Sequence, residues 1–475
     1  MKSIARKIKS IFMETVKETK RVGEEDPRRI IHAMKVGFAL TLVSLFYYFR
    51  PLYNGFGQAG MWAILTVVVV FEFTVGGTLS KSLNRGCATL VAGALGVGAE
   101  YLAALCGDKG EPVVLGLMVF FLATTSTFTR FFPNVKRKYD YGVLIFILTF
   151  SLVAVSGFRV DQILHLAHRR LSTILIGGAS CIVISIFVCP VWAGQDLHNL
   201  IAANIEKLGA FLEGFGTEFL IFHGDESGKI NSSCKHGDQK SFLEGYKSVL
   251  NSKATEESLA NFAWWEPPHG RFRFNHPWKQ YLKIGALARD CACLIQSLNG
   301  YINSKSQSLV ESEVKMKIKE SCMKMSMESG KALKELASAV KTTAFHPLLA
   351  AGAHLQNSKS AADDLKIALE NSSLLSAKAD LQEIMPLLVV ASVLIDINDG
   401  VDKIYESVNE LSLKACFKNN PKSSKACELH QQVIIHRGVV KPVNDSEEHV
   451  VVVVVDGGAS AEESPEKENR HPPPQ

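Results

Sequence analysis

Several charged side chains stand in apolar stretches of sequence that disfavour charge. Glu72 lies in the run "VVVVFEFTV", Lys81 and Arg85 lead into the next apolar segment, and Arg170 opens another, "RLSTILIGG". A charge at bilayer depth costs about 2.5 kcal/mol or more, so an ionisable residue within a membrane span is a functional candidate by default. Fixed Arg and Lys rings suit anion pores, because they replace the hydration that a permeant anion surrenders. On a helix, Lys81, Arg85 and Thr89 fall at successive i,i+4 positions and share a face. Ala88, Ala92 and Gly96 make a neighbouring stripe of small residues, which permits close helix packing in lipid. Arg85, the deeper cation, is assigned to a pore; Lys81 serves equally as pore lining or as a lysine snorkelling to the headgroups. Asp161, His165 and Arg169 form a second i,i+4 ladder, readable as a local ion pair or as a gating or ligand group. Arg170 sits about 100° round from Arg169 and can point to the bundle interior. Glu72 has two readings: it pairs with one of these cations and holds it in place, or it relays protons.

The elements that must carry these residues occupy the first 190 of 475 residues. Six apolar segments, 34–49, 60–76, 87–105, 113–129, 141–157 and 171–190, approach the ~17–25 residues a crossing helix needs. Nine basic residues between Lys2 and Arg29, then Lys81 with Arg85, then Arg130 with 136–138, mark alternate loops as cytosolic. Both termini are therefore expected in the cytosol, with no cleavable signal peptide. The last outward loop, "FRVDQILHLAHRR", breaks the charge rule, for which a pore is one reason.

The remainder reads as ordinary soluble chain. Helical periodicity recurs at 199–220, 278–304, 308–342, 360–375 and 378–417. The expected class is all-α: a basic arm over 1–32, six transmembrane helices within 33–190, a cytosolic helical bundle over 191–418 and a disordered tail over 419–475. The ten cysteines form no CxxC pair and read as small buried hydrophobes. His269 and His276 lack a Cys or Asp partner, so no metal site is assigned. No GxSxG, HExxH, Walker or dinucleotide motif is present, and no enzyme or cofactor is expected. The basic arm suits anionic lipid, whereas a nucleic-acid partner is not expected.

Long stretches carry a likeness: "EEDPRRIIHAMKVG", "MWAILTVVVVFEFTVGGTLSKSLNRG", "AHRRLSTILIGG", "CPVWAGQDLH" and "ANFAWWEPPHGRFRFNHPWKQY". From about residue 20 to 415 the chain resembles the plant aluminium-activated malate transporter family. The resemblance implies a homodimeric anion channel passing malate, chloride or nitrate, with pore arginines at Arg85 in "SLNRG" and Arg170 in "HRRLST". It implies a structural role for the signature Trp265-Glu266-Pro267. Trp264, Trp265 and Trp278 would wedge the cytosolic helices together, and Glu266 would pair with an arginine such as Arg271. Inhibition by γ-aminobutyrate would act through the region after the sixth span, around 211–220. Aluminium gating would call for carboxylates at the outer mouth, since a hard cation favours oxygen ligands. Here Asn54 and His165 stand where acids would be useful, so malate conduction without aluminium is expected. The plasma membrane is favoured over the vacuolar membrane.

Overall fold

The computed structural model describes residues 2–48, 61–107, 109–157, 163–221, 241–303, 313–371 and 378–418. Among them there are helices and two isolated bridges but no strands, in agreement with the all-α expectation. The first half holds α1 (Lys2–Glu25), α2 (Pro27–Tyr48), α3 (Met61–Val70), α4 (Val75–Ala104), α5 (Glu111–Thr129), α6 (Pro133–Lys138), α7 (Asp140–Gly157) and α8 (Ile163–Phe187). Five of the six apolar segments each fall on one of these helices, and the second spans two. Among the described residues, Val75–Ala104, Glu111–Thr129 and Arg170–Phe187 are long and apolar enough to cross a membrane, and Met61–Val70 and Asp140–Val155 are shorter apolar helices. Their outward faces carry Phe120, Phe121, Phe128, Val155 and Phe187, all exposed.

The second apolar segment is not one helix. α3 ends at Val70, and Phe71–Thr74 forms a break before α4 begins. Glu72 therefore lies in the break rather than inside a span, and Lys81 and Arg85 belong to a helix that starts well before 87. Apolar periodicity cannot register such a break; its hydrogen bonds can. Thr74 caps α4 by accepting from the Gly77 N–H at 3.2 Å. The Glu72 N–H donates to Thr78 Oγ1 at 3.0 Å, and the Val75 N–H donates to the distant Val191 carbonyl at 2.9 Å.

α4 packs along both α7 and α8, and α3 lies on α8. Two small cores result. Ala39, Val43, Ala63, Val67 and Ile184 join α2, α3 and α8. Ala92, Ala99, Ala103, Leu115, Phe150 and Ala154 join α4, α5 and α7. The small-residue stripe on α4 allows the second contact: a Cβ added to Gly96 would lie 2.7 Å from Val153.

Beyond residue 192, α9 (Ala193–Ile221), α10 (Ser241–Leu250), α11 (Lys253–Ala263), α12 (Trp278–Asn303), α13 (Glu313–Thr342), α14 (His346–Asn371) and α15 (Lys378–Lys414) share one larger core. Ile201, Leu208, Tyr281, Ile295, Leu336 and Ile404 are among its fully buried members. Helix boundaries expected at 308 and 360 lie at Glu313 and His346. Of the cysteines, Cys181, Cys291 and Cys322 are buried as expected, while Cys87, Cys106, Cys189 and Cys293 are exposed. The tail 419–475 and Asn54 lie outside the described residues.

Candidate functional site

Along α4 the cations take three different surroundings. Lys81, nearest the break, forms an ion pair with Glu72, and both side chains keep about a third of their surface exposed, 30% and 32%. The expected partnership of Glu72 with a cation is thus present, with Lys81 as that cation. Lys81 Nζ also lies 5.7 Å from the Tyr141 ring centroid.

One turn on, Arg85 is only 4% exposed. Its Nη1 donates to the Tyr141 hydroxyl at 3.1 Å, and its Nε has no hydrogen-bond partner. Among the described residues no carboxylate forms an ion pair with it. A buried cation without a counter-charge is costly, and structures rarely retain one for packing alone. Arg170 on α8 is half-buried: its guanidinium stacks 4.2 Å from the Trp62 ring centroid and its Nε is buried without a partner among the described residues. Stacking on a ring face supports a cation and leaves its N–H edges free for an anion.

The register of α4 against α8 relates the two arginines. Gly86 faces Leu175 and Ser82 faces Gly178. Continuing that antiparallel register places Arg170 opposite about residue 90, a little more than one turn past Arg85. The two residues therefore lie at neighbouring levels along the α4–α8 pair, while their guanidinium groups rest on different helices, Arg85 against Tyr141 of α7 and Arg170 against Trp62 of α3. Asp161 and the side chains of His165 and Arg169 lie outside the described residues.

The Trp-Glu-Pro signature lies where the two halves meet. Glu266, with its side chain 1% exposed, accepts the Ala193 N–H at 2.6 Å, the Gly194 N–H at 3.0 Å and the Gly76 N–H at 3.3 Å. One carboxylate thus caps the starts of both α4 and α9, where helix dipoles favour negative charge. Burial nevertheless pushes its carboxyl up to about 7, against those three N–H bonds, with Asp196 raising it further. The pairing expected with Arg271 does not occur: Arg271 donates to the Lys341 carbonyl at 2.9 Å. Backbone donors had already filled the carboxylate, and such donors have no signature in side-chain sequence. Pro267 offers its carbonyl to His269 Nδ1 at 2.9 Å, and His269 stacks on Trp192 with centroids 3.8 Å apart.

The tryptophans divide differently from expectation. Trp278 joins the larger core, but Trp265 meets Tyr139 edge-on, and exposed Trp264 lies beneath Lys138, 4.2 Å from its ring centroid. Both thus dock on the α6–α7 junction, where Asn261 also donates to the Arg137 carbonyl at 2.8 Å. Nearby, His198 Nδ1 and His276 Nε2 both meet the Tyr281 hydroxyl, at 3.0 and 3.3 Å. Burial lowers both imidazoles to about 4, so they are neutral near pH 7.

Sequence reasoning missed Tyr141, Trp62 and Ser82. Tyr141 opens the fifth apolar segment beside three basic residues, a position that marks it as a cation partner. Trp62 and Ser82 gave no local signal.

A model described as aluminium activated malate transporter matches residues 20–382. "Aluminum-activated malate transporter 2" of Arabidopsis thaliana is 53% identical over 437 residues, covering 92% of this chain and 84% of that protein. "Aluminum-activated malate transporter 7" of the same plant is 51% identical, covering 86% and 83%. "Aluminum-activated malate transporter 1" of Triticum aestivum is 46% identical, covering 89% of each. These relatives are named as transporters, not enzymes, in keeping with the absence of catalytic motifs. From a match over most of its length, and from relatives aligned nearly end to end, the chain belongs to the aluminium-activated malate transporter family.

Proposed function

We propose that the protein is a passive channel for malate and small inorganic anions, lined by Arg85 and Arg170 from both subunits of a homodimer. The observation that carries this reading is the pair of guanidinium groups, Arg85 buried and Arg170 half-buried, each with a buried Nε that has no hydrogen-bond partner and no ion pair to a carboxylate among the described residues. Membership of a family whose relatives are named malate transporters supplies the permeant. Lys81, held by Glu72, guards the cytosolic mouth, and this fixed pairing favours a structural Glu72 over a proton-relaying one.

In this reading the six apolar helices within 33–190 all cross, α4 being about 45 Å long on its 30 residues. Residues 191–418 form a cytosolic helical bundle, and both termini lie on that side. Contacts of Asn261 and Trp264 with the basic 136–138 segment support that orientation, since cationic loops stay inside. The plasma membrane is the proposed location, and basic α1 is proposed to contact its anionic lipid. Current does not require aluminium, because Asn54 and His165 replace oxygen-rich acids at the outer mouth. Inhibition by γ-aminobutyrate would act near 211–220, although Phe211, Leu212 and Phe215 there are core residues.

The test is voltage-clamp current in oocytes loaded with malate, with and without external Al³⁺, for wild type, Arg85→Ala and Arg170→Ala. Inward current in wild type that both substitutions abolish, at equal surface expression, supports the reading. Unchanged currents in both variants would sink it. A reversal potential that follows pH rather than the anion gradient would favour proton-coupled export through Glu72.

A further inference from the structure

We propose that Ser82 and Thr89 are specificity-determining residues, forming with Arg85 a ladder of donors on α4 that selects oxyanions such as carboxylates and nitrate over halide. This rests on the reading that Arg85 lines the anion path.

Ser82 Oγ, Arg85 Nε and Thr89 Oγ1 are each buried without a hydrogen-bond partner among the described residues. Ser82 is 9% and Thr89 3% exposed. Buried donors left unpaired cost free energy, so groups of this kind call for an acceptor that comes and goes. Helical hydroxyls usually have a local answer, bonding back to the carbonyl one turn earlier. Thr41, Thr66, Ser172 and Ser180 all do so, at 2.7–2.9 Å. Ser82 and Thr89 do not, so their hydroxyls remain available for something else.

Placement gives the ladder its direction. At about 100° per residue, positions 82, 85 and 89 lie within about 60° of one another. Their rungs rise by about 4.5 and 6 Å along the axis. On α8, Arg170 lies at about the level of Thr89 by the same register. Opposite Ser82 stands Gly178, and one turn beyond Thr89 is Gly93, which is buried although a Cβ there would meet nothing within 4 Å. That space continues the same face.

The geometry favours anions with several acceptor atoms. A carboxylate or nitrate can accept from Arg85 with one oxygen and from a neighbouring hydroxyl with another. A halide offers one spherical acceptor and engages one rung at a time. Neutral hydroxyls also raise selectivity without adding charge, which would trap the anion instead of passing it.

The experiment compares reversal potentials of the full-length channel in oocytes, with external chloride exchanged for nitrate and internal malate held constant. Wild type, Ser82→Ala, Thr89→Val, Thr89→Ser and Arg85→Gln are used, with surface labelling of each. Losing one neutral hydrogen bond should lower nitrate and malate permeability relative to chloride about twofold to tenfold. Thr89→Ser should keep the wild-type ratio. If Thr89→Val fails to reach the surface, Ser82→Ala, a change of one oxygen atom, carries the test. Unaltered ratios in Ser82→Ala and Thr89→Val, while Arg85→Gln removes the current, would overturn the ladder and leave the pore standing. Full current in Arg85→Gln would overturn both.

Discussion

Glu266→Gln separates two contributions of the signature carboxylate, one dependent on pH and one not. The folded carboxyl lies at about 7, against a usual 4.5. A group raised in this way stabilises the fold fully below pH 4.5, and that stability is lost as pH rises through 7. At 1.36 kcal/mol per unit, the difference amounts to about 3 kcal/mol, most of it falling between pH 5 and 8. His198 and His276, held at about 4, act in the opposite sense: their contribution is lost as pH falls from 6.5 toward 4. The histidines are common to wild type and variant, so the difference between the two isolates Glu266. The glutamine also turns an amide donor toward backbone N–H groups, an offset of about 1–3 kcal/mol at every pH. The assay is the melting midpoint of the purified full-length protein in detergent at several pH values from 5 to 8. The stability advantage of wild type over Glu266→Gln should shrink by about 2–3 kcal/mol from pH 5 to 8. Parallel curves would refute the linkage and show that the three N–H donors keep Glu266 ionised throughout.

Other substitutions read other contacts. Gly76→Ala drives a Cβ into the Phe262 carbonyl oxygen, a backbone atom with little freedom to yield, and should cost about 1–3 kcal/mol in melting assays. Gly93→Ala enters open space and should be neutral or stabilising by up to about 1 kcal/mol, since alanine suits a helix interior better. Tyr141→Phe removes the hydroxyl that Arg85 contacts; we expect retained surface expression and altered unitary conductance, measured in excised patches. Glu72→Gln breaks a partly exposed pair and should shift stability by about 1 kcal/mol or less, with no pH-dependent change in reversal potential.

Much of the first half was legible because lipid-compatible helices must be apolar over most of their length. The arginines stood out for the same reason, as exceptions to that rule. The break at Glu72 was hidden, since Val67–Phe73 stays apolar on both sides of it and long-range bonds from Val191 and Glu266 fix where α4 starts. The partners of Trp264 and Trp265 were likewise misassigned: local pattern marks them as anchors but cannot say that Lys138 and Tyr139 receive them. The donor ladder was half visible. Arg85 and Thr89 share a face by spacing alone, but the missing partners of their polar atoms appear only once neighbouring helices are in place.

The double cap made by Glu266 has a consequence for how the chain is born. The N–H groups of Gly76 and Ala193 wait for an acceptor that lies 190 and 73 residues further along. At a synthesis rate of about 5–20 residues per second, the start of α9 emerges roughly 4 to 15 s before its cap has been made. The start of α4 waits longer still. During that interval both helix starts carry N–H donors whose acceptor in the finished fold lies no earlier than residue 266. A chain stalled or cut before residue 266 therefore lacks the acceptor for both helix starts, and the two halves are joined at this point only once the segment between them has been made.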